Sequence, residues 1–203
     1  VFIINHPLVQ HKLTLLRDKK TQQKEFRELV LELGQLLIYE ATRNLEPKEK
    51  EVETPLAKTK GSHLNLKEIV IVPILRAGLG LAEGALRALP EAKVGHVGLY
   101  RDEKTLKPVS YYLKIPPFNQ DTHFFIVDPM VATGGSAVEA VRVLKEKGVN
   151  KITLVSLIAA TQGIRHFHQI YPEIDIYTAA VDDHLNEKGY IVPGLGDAGD
   201  RLF

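Results

Sequence analysis

His123-Phe-Phe-Ile-Val-Asp-Pro-Met-Val-Ala-Thr-Gly-Gly-Ser136 is the stretch on which the fold turns. Its first five residues form a short apolar run, as expected of a strand buried on both faces and ending at Val127. Asp128 sits at the carboxyl end of that strand. From Ser136 to Lys147 the apolar spacing is helical, so the chain passes from strand to helix through Asp128–Gly135. Gly134 and Gly135 give the backbone conformations closed to other residues and let it approach a ligand closely. Consecutive N–H groups at a helix start form a nest for a phosphate, helped by the helix dipole. The Thr133 and Ser136 hydroxyls can add hydrogen bonds. A plain strand-to-helix turn with Ser136 as N-cap accounts for Gly-Gly-Ser alone. It leaves the acidic residue at the strand end unexplained. No Lys follows either glycine, so this is not the nucleoside-triphosphate loop, which ends in Gly-Lys-Ser/Thr.

The same alternation extends outward. Upstream, Ile69–Leu75 is another unbroken apolar strand, followed by a helix over Gly78–Leu89 and a strand over Val94–Tyr100. Downstream come a strand over Ile152–Ala159, a helix over Gln162–Tyr171 and a strand over Ile174–Val181. The pattern predicts an α/β fold with a mainly parallel central sheet flanked by helices, as one domain over residues 1–203. Sites in such sheets lie beyond the carboxyl ends of the strands, here after Leu75, Tyr100, Val127 and Val181. The first part of the chain reads as helical. A short helix over Leu8–Arg17 precedes a long one over Thr21–Asn44, where Phe26, Leu29, Val30, Leu33, Leu36 and Leu37 form one apolar stripe. Glu46–Lys50 is a polar break. Residues 101–120 show no helical stripe and read as a long loop, which in a compact domain is usually functional. The residues from Asp182 onward read as irregular and glycine-rich.

Composition narrows the chemistry. With 26 Lys+Arg against 25 Asp+Glu in 203 residues, the net charge is +1, which argues against a surface that grips nucleic acid throughout. There is no cysteine, so disulfides, thiolate metal sites and a thiol nucleophile are excluded. The eight histidines form no metal signature; His166 and His168, two apart on a helix, point to different faces and read as surface or packed side chains. No apolar run approaches a membrane span, and the first residues lack a basic segment of signal type. The expectation is a cytoplasmic protein with no nucleic-acid or membrane partner.

Three further segments stand at or beyond strand ends. Pro73-Ile-Leu-Arg-Ala-Gly-Leu-Gly80 places Arg76 just past a strand, where a planar guanidinium fork can meet phosphate oxygens. Gly98-Leu-Tyr-Arg-Asp-Glu-Lys-Thr-Leu-Lys-Pro-Val-Ser-Tyr-Tyr112 mixes Arg101, Lys104 and Lys107 with tyrosines. Tyr190-Ile-Val-Pro-Gly-Leu-Gly-Asp-Ala-Gly-Asp-Arg201 carries a literal G-x-G-x-x-G at Gly194, Gly196 and Gly199. That dinucleotide pattern belongs on the first strand of a βαβ unit, and a segment ending the chain is the wrong context.

Together, the Asp128–Ser136 and Tyr190–Arg201 segments resemble the uracil phosphoribosyltransferases. His6-Pro-Leu-Val-Gln-His-Lys12 and Val52-Glu-Thr-Pro-Leu56 extend the resemblance along essentially the whole chain. Asp128 is followed by Pro129 where most enzymes of this fold have a second acidic residue, a departure that matches the uracil branch. The resemblance implies conversion of uracil and 5-phosphoribosyl-1-diphosphate to UMP in pyrimidine salvage. It implies donor contacts from Arg76, Arg101, Asp128, Pro129, Met130, Val131, Ala132, Thr133, Gly134, Gly135, Ser136 and Asp197, with Arg76, Arg101 and Asp128 closest to the chemistry. Uracil would be read by Ile191, Gly196, Asp197 and Ala198, mostly through backbone. It also implies a flexible hood around Arg101 and a magnesium ion held mainly through the diphosphate rather than by a protein metal site. A GTP effector is known in some members. The long N-terminal helix and the resemblance both point to a homodimer or larger homo-oligomer. The alternative is a nucleotide-sensing regulator of the same fold, which the lack of a basic stripe and the complete uracil segment disfavour. A nucleoside kinase is disfavoured by the missing triphosphate loop.

Overall fold

The computed structural model describes residues 1–101 and 108–203, with the Arg101 side chain outside that description. Lys104 and Lys107 fall outside it as well. In chain order the elements are β1 (Phe2–Ile3), α1 (Pro7–Arg17), α2 (Gln23–Ala41), β2 (Lys48–Glu53), β3 (Lys58–His63), β4 (Ile69–Leu75), α3 (Gly78–Ala88), β5 (Lys93–Val94), β6 (His96–Arg101) and β7 (Pro108–Lys114). There follow β8 (His123–Val127), β9 (Met130–Val131), α4 (Gly135–Glu146), β10 (Lys151–Ala160), α5 (Thr161–Ile170), β11 (Asp175–Asp182), β12 (His184–Leu185), β13 (Ile191–Val192) and α6 (Ala198–Leu202).

The main sheet runs β1-β11-β10-β8-β4-β6-β7, with β5 beside β4 and β9 beside β10. Every pairing is parallel except β6 with β7. The unbroken apolar runs are explained by burial on both faces. Ile69 and Ile71 of β4, with Phe125 and Val127 of β8, pack under α1, α2 and α3. Their alternates Val70, Val72, Phe124 and Ile126 pack under α4 and α5. Each such fully buried side chain contributes ~1.5–3 kcal/mol over an exposed one.

The stripe of α2 is used inside this core: Phe26, Val30, Leu33 and Leu37 are fully buried. Three expectations are corrected. Residues 48–63, read as a polar break at 46–50, form the antiparallel hairpin β2–β3, nearly all of it exposed. The supposed loop 101–120 contains β7, which closes the sheet edge antiparallel to β6. The strand over 94–100 is two strands, divided at Gly95.

Candidate active site

The strand order places β4, β8, β10 and β11 side by side with their carboxyl ends on one edge. Arg76 leaves β4 there, after a cis Leu75–Arg76 peptide, and its side chain is exposed. The start of α3 presses on the end of β8: a methyl group on Gly78 would stand 2.5 Å from the Val127 carbonyl oxygen. The Arg76 and Asp128 segments are thereby neighbours. Arg76 lies 5.5 Å from the Phe203 ring, which ties it to the C-terminal segment. Among the described residues no ion pair joins Arg76 to Asp128 or Asp197.

Asp128 follows β8, its N–H held by the Val155 carbonyl at 3.1 Å. Its carboxylate meets no hydrogen-bond donor among the described residues, and burial pushes its pKa up to about 8. The residue is half-buried, so its carboxylate can still be reached from the strand end. The hydroxyls of a sugar or a cation brought with a substrate would meet it there.

Past Asp128 the Pro129 carbonyl accepts from both Leu157 and Ile158, and β9 keeps Met130 and Val131 beside β10. The chain then turns at Ala132–Gly134. Gly134 has φ +79° and is the residue before α4, so α4 begins at Gly135 and Ser136 lies inside its first turn. Ser136 is thus not the N-cap. The N–H groups of Gly135, Ser136 and Ala137 have no carbonyl one helical turn back. A hollow of about 80 Å³ lined by Met130–Gly134, Ser136 and Ala137 lies at this helix start. Amides, dipole and hydroxyls at one point make a candidate anion cradle, in which the Gly135 N–H donates to Thr133 Oγ1 at 3.4 Å.

Helix α5 backs the loop. A methyl on Gly163 would stand 2.2 Å from the Ala132 carbonyl oxygen, and His166 Nδ1 donates to the Thr133 carbonyl at 2.8 Å. Reading His166 as merely a surface or packed side chain missed this contact. The i, i+2 spacing of His166 and His168 carries no trace of it, and His168 bonds the Ile174 carbonyl instead.

The other expected residues lie on the C-terminal segment, whose Phe203 meets Arg76. Ile191 and Ala198 are buried, Gly196 is exposed, and Val192–Pro193 is cis. Asp197 caps α6, with Oδ1 accepting from the Asp200 N–H at 2.9 Å. Asp182, at the end of β11, accepts two hydrogen bonds from Arg17 at 2.7 Å each and one from the Gly194 N–H at 2.9 Å. Sequence reasoning passed over both Arg17 and Asp182. A buried acid at a strand end was the signal available for Asp182. Among the described residues no three His, Asp or Glu side chains gather where they could hold a metal ion.

A strand-end acid followed by a glycine turn into a helix, on a parallel sheet in this order, is the arrangement of the type I phosphoribosyltransferase fold. Solved structures agree on that fold. Adenine phosphoribosyl transferase from Trypanosoma brucei, in complex with AMP, pyrophosphate and ribose-5-phosphate, superimposes with TM-score 0.61 at 12% identity over 97% of this chain and 87% of that one. A solved protein from Aquifex aeolicus matches with TM-score 0.94 at 42% identity, over 99% of this chain and 96% of the other. The family model for uracil phosphoribosyltransferase matches residues 3–203. The uracil phosphoribosyltransferase of Dictyoglomus turgidum is 61% identical across all of this chain and 98% of its own length. That of Lacticaseibacillus paracasei is 56% identical over 99% of this chain and 96% of its own length. The chain belongs to the uracil phosphoribosyltransferase family.

Proposed function

We propose that this chain transfers the phosphoribosyl group of 5-phosphoribosyl-1-diphosphate to N1 of uracil, giving UMP and diphosphate. The observation that carries the reading is the Asp128 carboxylate, raised in pKa by burial, at the strand end that leads into the Thr133–Ser136 loop and the start of α4. In the reaction the C1–O bond breaks with its electron pair going to diphosphate. The N1–C1 bond forms, and N1 loses its proton. Positive charge grows on the ribose and negative charge on the leaving group, so fixed charges and dipoles aimed at both lower the barrier.

The cradle amides hold the 5-phosphate. Asp128 takes ribose hydroxyls and faces the developing cation. Arg76 and Arg101 meet the diphosphate, the latter on sequence grounds alone. The backbone of Ile191 and Gly196–Ala198 presents rigid donors and acceptors to the pyrimidine edge. Cytosine, reversed in polarity at its 4-position, is rejected by such a site. Asp197 lies between the base and the donor while capping α6. Holding both reactants makes the attack effectively intramolecular. Magnesium suits a site with one protein carboxylate, since it keeps water and phosphate oxygens as its other ligands. When bound with the donor it neutralises charge on the leaving diphosphate.

Diphosphate release that requires uracil and matches UMP formation one for one supports this reading. Release without UMP would mean hydrolysis of the donor instead.

A further inference from the structure

Gly194 is gripped at both of its backbone groups by one ion pair. Its N–H donates to Asp182 Oδ2 at 2.9 Å, and its carbonyl accepts from Arg17 Nη1 at 2.8 Å. Arg17 and Asp182 are themselves joined by two parallel hydrogen bonds of 2.7 Å, with Asp182 only 7% exposed. Such a fork fixes orientation as well as distance. Gly194 has φ +63°, and a methyl group there would stand 2.0 Å from the Ile191 carbonyl oxygen, so the turn has no room for a side chain.

A second arginine repeats the arrangement on the other side of Leu195. Arg201 donates to the carbonyls of Leu195, Leu16 and Asp18 at 2.8, 2.8 and 2.7 Å, and its guanidinium lies 4.2 Å from the Phe26 ring. Leu16, Arg17 and Asp18 form the corner between α1 and α2. The two-residue turn Gly194-Leu195 is therefore bolted to a corner more than 170 residues away in the chain.

We propose that Arg17 and Asp182 are positioning residues for base selection: they set where the flanking backbone of Ile191 and Gly196–Ala198 presents its hydrogen-bonding groups. This rests on the proposed function, in which those groups read uracil. Neither side chain need touch substrate. A backbone displacement of ~1 Å breaks a hydrogen bond to a rigid edge and can cost ~10²-fold. Of the proposed donor contacts only Asp197 lies on the clamped segment; the Thr133–Ser136 loop and Arg76 stand on the β8–α4 and β4–α3 loops, outside it.

The test compares the wild-type chain with the double variant Arg17→Met/Asp182→Asn. The double variant leaves no buried charge unpaired, and its Asn side chain still accepts from Gly194. The expected result is a rise of roughly tenfold or more in KM for uracil, loss of discrimination against cytosine, and a nearly unchanged KM for the donor. Arg17→Lys keeps the charge opposite Asp182 but cannot span to the Gly194 carbonyl, and it should show the same split more weakly. If the double variant fails to fold, Arg17→Lys decides the matter alone. Uracil KM and discrimination at wild-type values in a folded variant would overturn the proposal. So would an equal rise in both KM values, which would mark a purely structural role. Failure of the wild-type chain to use uracil at all would instead remove the proposed function and this inference with it.

Discussion

Gly134 and Gly163 stand back to back: a methyl group on Gly134 would lie 2.6 Å from the Gly163 carbonyl oxygen. Helix α5 therefore closes the rear of the anion cradle at backbone contact, with no room for a side chain on either glycine. Gly163→Ala should push the Ala132–Gly134 turn outward. Overpacking of this kind costs ~1–3 kcal/mol, which at the cradle corresponds to roughly a 5–150-fold rise in donor KM. Uracil KM should move far less. Steady-state kinetics and a thermal melt check both; an unchanged donor KM would mean the cradle does not depend on this contact.

His166 supports the same loop from one turn further along α5. A carbonyl only accepts, so Nδ1 carries the hydrogen in its 2.8 Å bond to Thr133. Losing it should cost about 0.5–1.5 kcal/mol. His166→Ala is expected to raise donor KM several-fold with turnover little changed. His166→Asn, whose amide can donate from a similar position, should recover most of the loss. Equal behaviour of the two variants would show that the hydrogen bond is not what matters.

Asp128 yields a prediction with a definite sign. Its carboxyl is raised by burial to about 8, against an ordinary 3.8. The folded protein thus favours the protonated form. The associated stability is full below pH 3.8 and is lost steadily as pH rises to about 8. Asp128→Asn, fixed in a neutral form, should match wild type near pH 4 and melt higher than it at pH 8. Turnover should fall by roughly 10²-fold or more, since Asn cannot become the carboxylate that the cationic ribose of the transition state favours at this position. A variant that melts lower than wild type at pH 8 would make Asp128 a structural residue.

At the opposite end of the sheet His123 behaves in the reverse sense. Burial, with a smaller push from Lys151, lowers its pKa from 6.5 to about 4. Its ring stacks on Phe125 at 4.3 Å, and Nε2 is hydrogen-bonded to Thr153 Oγ1 at 2.9 Å. The folded state holds the neutral ring, so this stability is present above pH 6.5 and lost as pH falls through about 4. His123→Phe should flatten the loss of melting temperature between those values and leave turnover unaltered. An acid slope identical to wild type would assign the loss to other groups.

The readable parts of the fold were those with local signals. β4, β8, β10 and β11 are apolar on both faces, and α2 carries a full stripe, so β4 and β8 fall at the bounds expected and the others within three residues of them. The hairpin β2–β3 packs on no core, so its Lys- and Glu-rich strands carry no alternation to read. β7 pairs at a sheet edge with side chains mostly in solvent, which leaves the same silence. The site divides in the same way. Asp128 and the glycine loop are contiguous and were legible. Arg17 lies 165 residues from Asp182, and His166 lies 33 from Thr133, so only the folded chain brings these pairs together.

The central claim is transfer of a phosphoribosyl group to uracil at the β8–α4 loop. The most direct measurement is nucleotide formation from uracil, cytosine, hypoxanthine and orotate, each supplied with 5-phosphoribosyl-1-diphosphate and magnesium. The account predicts UMP from uracil, with turnover of the other three lower by orders of magnitude and Asp128→Asn reducing the uracil rate sharply. No UMP from uracil, or faster turnover of any of the other three bases, would contradict it.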